Sequence, residues 1–319
     1  MGNWLQSIQN KEKRPIARLI SRIENNDPKK TQFLEALYPL TGKAYLIGVT
    51  GSPGAGKSSL IDGLISYLRS LQLTVGIIAV DPTSPFTGGA ILGDRVRMTQ
   101  HALDPGVFIR SMGSRGSLGG LSRATKEAVR VLDAAGFDVI IIETVGVGQA
   151  ELDIMHIADS VALVLNPGAG DVVQVFKAGI MEIADLFVVN KADLAGAPRL
   201  IAEIEELLDL VKHSKEWLPP IVRTIGTKQE GIQQWWEQLL QHQQFLTSTG
   251  QWEQKRQQYF RQEVRELIED YLRQQLEEEL NSPAYQEELI QVAERKKLPT
   301  QVAKEWMNRV LGKTGGGSE

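Results

Sequence analysis

The sequence predicts an α/β fold: a mostly parallel sheet covered by helices on both faces, with helical extensions at its amino and carboxyl ends. Three observations predict it. From about residue 44 to 245, short Val/Ile-rich runs alternate with helical patterns, as in sheets buried on both faces. The run GSPGAGKS, Gly51 to Ser58, fits the phosphate-binding pattern G-x-x-x-x-G-K-[ST] at every fixed position, with a strand-like run before it and a helix-like run after. Beyond about residue 246 the strand runs stop, and glutamine, glutamate and arginine dominate.

Taken in order, residues 1 to about 40 read as helical. Ile16, Leu19, Ile20 and Ile23 form an apolar stripe, Asn26-Asp27-Pro28 breaks it, and a second helix runs from Lys29 to Tyr38. AYLIGVT, Ala44 to Thr50, is the first strand. Leu60, Ile61, Leu64, Ile65 and Leu68 then recur at helical spacing. Further strands are expected at Leu73–Asp81, Gly106–Met112, Phe137–Thr144, Ser160–Pro167, Asp185–Lys191 and Pro219–Thr224. Helical patterns fill about 120–135, 171–183, 197–213 and 231–245. Trp252, Phe260, Val264, Leu267, Ile268, Tyr271, Leu272 and Leu276 recur at three- and four-residue steps and predict a long amphipathic helix. Ser282-Pro283 is a helix start, Ser282 as cap and Pro283 in the first turn, for a helix running to about Lys297. A third helix follows Pro299, with Val302, Trp306, Val310 and Leu311 on one face, and the tail GKTGGGSE is expected to be disordered.

This divides the chain into an N-terminal helical extension (1–40), a nucleotide domain (41–245) and a C-terminal helical arm (246–319). Two readings of the arm are open. It packs on the nucleotide domain, or it pairs with another chain.

Composition narrows the class. The 319 residues include 42% hydrophobic side chains, ample for a core, and the formal net charge of −4 argues against non-specific nucleic-acid binding. With no cysteine, disulfides, thiolate metal sites and cysteine catalysis are excluded. The first residues lack an apolar signal core and no run approaches a membrane span, so a cytoplasmic protein without membrane or nucleic-acid partners is expected. The four histidines show no metal-ligand spacing, and no serine–histidine–carboxylate set is visible.

The candidate site gathers at predicted strand ends, where open α/β sheets bind ligands. In Gly51, Ser52, Pro53, Gly54, Ala55, Gly56, Lys57 and Ser58, with Ser59 adjoining, glycines let backbone N–H groups turn around phosphate oxygens at a helix N-terminus. Lys57 should reach the β- and γ-phosphates, and Ser58 should ligate Mg²⁺. Asn190-Lys191-Ala192-Asp193 fits N-K-x-D after a strand. Its carboxylate, Asp193, can accept from both the ring N–H and the exocyclic amine of guanine, a pairing that rejects adenine by about 10⁴-fold. Glu143-Thr144-Val145-Gly146-Val147-Gly148-Gln149 places an acid at the end of a strand beside the loop, where Mg²⁺ is held directly or through water, although the usual GTPase pattern there is D-x-x-G. Asp81 ends a strand and Asp94 begins a helix. Each can hold Mg²⁺ or orient water, or simply cap its element. Ile225, Gly226 and Thr227 follow the last strand, in a turn positioned to touch the guanine edge through its backbone.

GSPGAGKSSLID, VDPTSPFTGGAILGDRVRM, RSMGSRGSLGGLS, DVIIIETVGVGQAELD, NPGAGD and KAGIMEIADLFVVNKAD together resemble the methylmalonyl-CoA mutase-associated GTPases. These are the MeaB/ArgK-like P-loop proteins, similar to the methylmalonic aciduria type A protein. The resemblance covers roughly residues 10 to 245 and thins through the C-terminal helices. It implies Mg²⁺-dependent GTP hydrolysis and a chaperone role toward an adenosylcobalamin-dependent acyl-CoA mutase, gating cofactor loading and protecting or reactivating the mutase. It also implies a homodimer formed through the C-terminal arm. Asp81, Asp94 and Glu143 match the family's acidic Mg²⁺ and switch positions, so E-T-V-G is the family's own form. Asn166 to Met181, including Lys177, resembles a further switch that couples nucleotide state to the mutase. Gln149 stands where other GTPases place a water-positioning glutamine. Lys57, Asp94, Glu143 and Gln149 are thus the candidate catalytic set. The alternative is an ATPase energising lysine/arginine/ornithine transport, a label this family has carried.

Overall fold

The computed structural model describes residues 3–81, 99–113, 123–144, 153–168, 183–211 and 216–314. The chain forms two compact units, Met1–Lys255 and Arg256–Glu319. The first begins with α1 (Asn3–Gln9), α2 (Lys13–Glu24) and α3 (Lys30–Leu37). Strand β1 (Tyr45–Thr50) leads through the glycine loop into α4 (Lys57–Ser70). Then follow β2 (Val75–Asp81), β3 (Val107–Gly113), α5 (Arg123–Ala134), β4 (Val139–Thr144), β5 (Ser160–Leu165), β6 (Leu186–Val189), α6 (Ala197–Val211), β7 (Ile221–Arg223) and α7 (Ile232–Ser248). Helix α8 (Gln251–Leu280) carries the chain into the second unit, where α9 (Pro283–Ala293) and α10 (Pro299–Thr314) follow.

All seven strands expected from the Val/Ile runs form, six of them shorter than expected and β3 displaced by one residue. They build one parallel sheet in the order β3-β2-β4-β1-β5-β6-β7. The loop-bearing strand β1 lies between β4 and β5, with Val49 opposite Glu143 on one side and Ala162 on the other. Both faces are covered, which is why β4 and β5 are buried at every position. On one face Ile47, Val49, Ile77, Ile141, Val164 and Val188 meet Leu60, Ile61, Leu64 and Leu68 of α4 and Trp235, Trp236 and Leu239 of α7. On the other, α5 buries Ala128, Val131 and Leu132. Leu132 approaches Gly76 so closely that a Cβ there would lie 2.9 Å from its Cδ1.

The N-terminal extension departs from expectation. The stripe Ile16, Leu19, Ile20 and Ile23 is buried on α2 as predicted. The helix does not reach back to residue 1, however. A turn at Asn10–Glu12 separates α1 from α2, with Lys11 in the left-handed region at φ 57°. No glycine or proline signals that turn. At the other end, α10 runs to Thr314, so Gly312, Lys313 and Thr314 of the expected disordered tail are helical. The expected helix at 171–183 lies almost wholly outside the described residues.

Within the second unit the expected helix start holds. The Ser282 hydroxyl accepts from the Tyr285 amide at 3.3 Å, and Pro283 opens the helix. Val302 and Trp306 are buried. Trp306 meets Tyr285 edge-on with centroids 5.1 Å apart, and its indole N–H donates to Glu288 at 2.7 Å. Phe260, Val264, Ile268 and Tyr271 are exposed along α8. Among the described residues no helix is long and apolar enough to cross a membrane.

Candidate functional site

Thr50 ends β1 and Lys57 begins α4, so six residues turn the chain from strand to helix. Gly51 sits at φ 137°, against the neighbouring β5: a Cβ there would collide with the Val164 carbonyl. Gly54 and Gly56 take φ 77° and 93°, and a Cβ on Gly56 would strike the Asn190 amide. Glycine is therefore required by both dihedral and space at Gly51 and Gly56, and by dihedral alone at Gly54. Ala55 is fully buried, Pro53 and Gly54 are exposed, and Ser52 and Ser59 are half-buried. The buried Lys57 ammonium donates to the carbonyls of Gly51 (2.5 Å) and Ser52 (3.1 Å), spanning its own loop.

Beside the loop, Ser58 on the first turn of α4 donates to Glu143 Oε1 at 2.9 Å, and both side chains are buried. One strand position further, Thr144 donates to Thr50 at 2.8 Å. Two oxygen ligands from different elements thus meet at the carboxyl edge of β1 and β4. Hard divalent cations such as Mg²⁺ take oxygen ligands, use few protein groups, and fill their sphere with water and phosphate. The Ser58–Glu143 pair fits that chemistry. Among the described residues no three His, Cys, Asp or Glu side chains converge on a metal site. Asp81 ends β2, its side chain outside the described set, and Asp94 and Gln149 lie outside the described residues altogether, as do positions 169–181 of the Asn166–Met181 segment.

The base-side turn is tied to the phosphate loop through Asn190, which is 3% exposed. Its Nδ2 donates to the Ala55 carbonyl at 2.8 Å, and its Oδ1 accepts from the Gly226 amide at 3.0 Å and the Thr224 hydroxyl at 3.3 Å. Lys191, left-handed at φ 54°, lays its ammonium on the Gly54 carbonyl at 2.9 Å. Asp193 stands exposed in the following turn. The Ile225 amide bonds Glu230, and the Gly226 amide is held by Asn190. A backbone contact from this turn to a ligand therefore falls to Thr227.

One constellation escaped sequence reasoning and corrects it. At the opposite, amino edge of the sheet, Ser160 Oγ lies 2.6 Å from His242 Nδ1, and His242 Nε2 lies 3.4 Å from Asp185 Oδ1. This is a serine–histidine–carboxylate set from three distant segments. Ser160 is fully buried and His242 is 2% exposed, so no substrate reaches it. Tyr45 Oη sits 2.6 Å from Ser160 and donates to the Leu239 carbonyl, Lys255 donates to Asp185, and Trp217 packs against the imidazole with centroids 4.9 Å apart. Burial lowers the His242 pKa to about 4, opposed by Asp185 and reinforced by Lys255. The arrangement is a satisfied polar core.

Comparison with known proteins adds lineage to this geometry. The family model described as methylmalonyl Co-A mutase-associated GTPase MeaB matches residues 16–281. A protein of Pyrococcus horikoshii named as a GTPase is 51% identical over 280 residues, covering 87% of this chain and 88% of its own length. The mouse mitochondrial methylmalonic aciduria type A homolog is 38% identical over 223 residues, 69% of this chain and 53% of that protein. A crystal structure of the LAO/AO transport system kinase superposes with a TM-score of 0.73 at 26% identity, covering 97% of this chain and 96% of the other.

Proposed function

Because the chain belongs to the methylmalonyl Co-A mutase-associated GTPases, we propose that it couples GTP binding and hydrolysis to the service of an adenosylcobalamin-dependent acyl-CoA mutase, methylmalonyl-CoA mutase in the first instance. It would gate cofactor loading and protect or reactivate the mutase. The observation that carries the reading is Asn190, which joins the phosphate loop and the base-side turn in one hydrogen-bonded unit.

In this reading the loop amides and Lys57 bind the β- and γ-phosphates. Lys57 exchanges its bonds to Gly51 and Ser52 for phosphate oxygens. Asp193 accepts from guanine. Ser58 and Glu143, with Asp81 and Asp94, would hold Mg²⁺, which would supply charge neutralisation for the triphosphate. A water oriented by Asp94, Glu143 or Gln149 attacks the γ-phosphorus. The bond from that phosphorus to the β-bridging oxygen breaks, leaving GDP and phosphate. In this reading Glu143 and the Asn166–Met181 segment respond to the γ-phosphate, and the nucleotide state becomes a signal that the mutase reads.

The exposed face of α8 supports a homodimer formed through the arm, since four large apolar side chains at helical spacing gain by being covered. A cytoplasmic location agrees with the absence, among the described residues, of a membrane-spanning helix. The likeness to the LAO/AO transport system kinase keeps one alternative, an ATPase energising amino-acid transport. Asn190-Lys191-Ala192-Asp193 favours guanine over adenine and so favours the first reading.

The test is retention of a purified mutase by immobilised protein loaded with GTP analogue, GDP or ATP. Mutase retained with a guanine nucleotide and not with ATP supports the proposal. Equal binding of ATP, or no retention of methylmalonyl-CoA mutase or a related acyl-CoA mutase in any state, overturns it. Lys57→Ala should nearly abolish hydrolysis.

A further inference from the structure

The three N-terminal helices line an open pocket of about 340 Å³, none of whose lining residues belongs to the nucleotide site. Ile8 of α1 and Leu19 of α2, both buried, form its floor. Trp4 and Phe33 form its walls, half-buried and meeting edge-on with centroids 5.3 Å apart. Arg18 and Arg22 stand at its rim. That volume falls at the lower end of the roughly 300–1,000 Å³ of small-molecule sites, and apolar walls with a few placed polar groups are their usual lining.

The two arginines differ. Arg22 is already fixed: its Nε bonds Asp27 at 2.7 Å and its guanidinium lies 4.7 Å from the centroid of Phe33. Arg18 is exposed and, among the described residues, has neither hydrogen-bond nor ion-pair partner. Arg14, Arg18 and Arg22 follow each other at four-residue steps on α2, a spacing at which like charges repel. Residues 1–43 hold eight Lys and Arg against four Asp and Glu, in a chain whose net charge is −4. Two of these cations, Arg18 and Arg22, line the apolar cavity, and an anion bound there would relieve the repulsion along α2.

We propose that this pocket binds a small organic anion. Its apolar, aromatic-sized body sits between Trp4 and Phe33, and its carboxylate or phosphate is taken by Arg18 and supported by Arg22. A guanidinium forks around either anion with two parallel hydrogen bonds. The site stands on its own observations and does not depend on the mutase reading.

The test uses the full chain saturated with GDP and Mg²⁺, so that the phosphate loop is filled. Indole-3-acetate, adenosine 5′-monophosphate and the neutral indole-3-ethanol are titrated in turn by calorimetry. At least one anion should bind saturably, about one per chain, and at least tenfold more tightly than indole-3-ethanol. The anion that binds identifies the source as carboxylate or phosphate. Arg18→Gln should weaken binding at least tenfold with an unchanged melting curve, and Trp4→Ala should weaken it similarly. Arg14→Gln, one turn outside the pocket, should change it by less than about threefold. Failure of both anions to bind at millimolar concentration, equal binding of the neutral compound, or unchanged affinity in Arg18→Gln overturns the proposal.

Discussion

Asn190→Ala should damage the protein before any nucleotide is added. The side chain is 3% exposed and serves two loops: it donates to Ala55 and accepts from Gly226 and Thr224. Truncation leaves the Ala55 carbonyl and the Gly226 amide without these bonds. Each buried group so orphaned costs about 1–3 kcal/mol, and the Thr224 hydroxyl can rotate to its 3.5 Å contact with the Val189 carbonyl. The sum is about 2–6 kcal/mol. For a domain of this size 1 kcal/mol moves Tm by about 2–4 °C, so a fall of about 4–24 °C is expected in nucleotide-free protein. Thermal melts followed by tryptophan emission read this directly, since Trp235 and Trp236 lie in the same unit. Excess GDP should restore less stability to the variant than to the wild type, because stabilisation by ligand follows affinity and the loop and base turn are no longer tied. A nucleotide-free variant melting within 1 °C of wild type would refute the reasoning, showing that Asn190 is not a brace.

Three further outcomes follow from the same geometry. Gly51→Ala should fail to bind GDP or fail to fold, because the added methyl meets the Val164 carbonyl, a backbone atom of the central sheet; GDP affinity within threefold of wild type would contradict this. His242 stays neutral in the folded chain down to about pH 4, while an unfolded imidazole takes its proton near 6.5. The unfolded state therefore binds more protons between those values. The contribution is whole above pH 6.5 and falls with pH, by about 2 kcal/mol at pH 5, so urea midpoints at pH 7.5 and 5.0 should lie closer together in His242→Asn than in wild type. Ser282→Ala removes the cap on α9 and should cost about 1 kcal/mol, read as faster amide exchange at the start of that helix and not at α4.

The sheet was legible because its strands are buried on both faces. Burial forces uninterrupted Val and Ile, as in Val139–Ile142, and such runs need no partner to be recognised. The loop was legible because its glycines answer local demands, a positive φ at Gly54 and Gly56 and contact distance at Gly51. What sequence could not display is pairing between distant segments. Asn190 carries a signal as part of N-K-x-D, yet its bond to Ala55 depends on β6 standing two strands from β1. Ser160, Asp185 and His242 converge only because β5, β6 and α7 do, and three isolated polar residues have no period to betray them. The turn at Lys11 was missed for a different reason. A lysine there adopts a left-handed backbone normally marked by glycine, so the local chemistry gave no warning.

The place of β1 between β4 and β5 has a consequence for how information leaves the phosphate loop. Val49 is paired to Glu143 on one flank and to Ala162 on the other, so the two neighbouring strands end within reach of the same few atoms. The chain leaves those strands as two separate segments, after Thr144 and after Leu165. If the loop senses nucleotide as proposed, a displacement there reaches both paired strands at once. A stiff parallel sheet cannot yield to one without straining the other, so two outputs wired to one input should move together, as a switch with two contacts and a single throw.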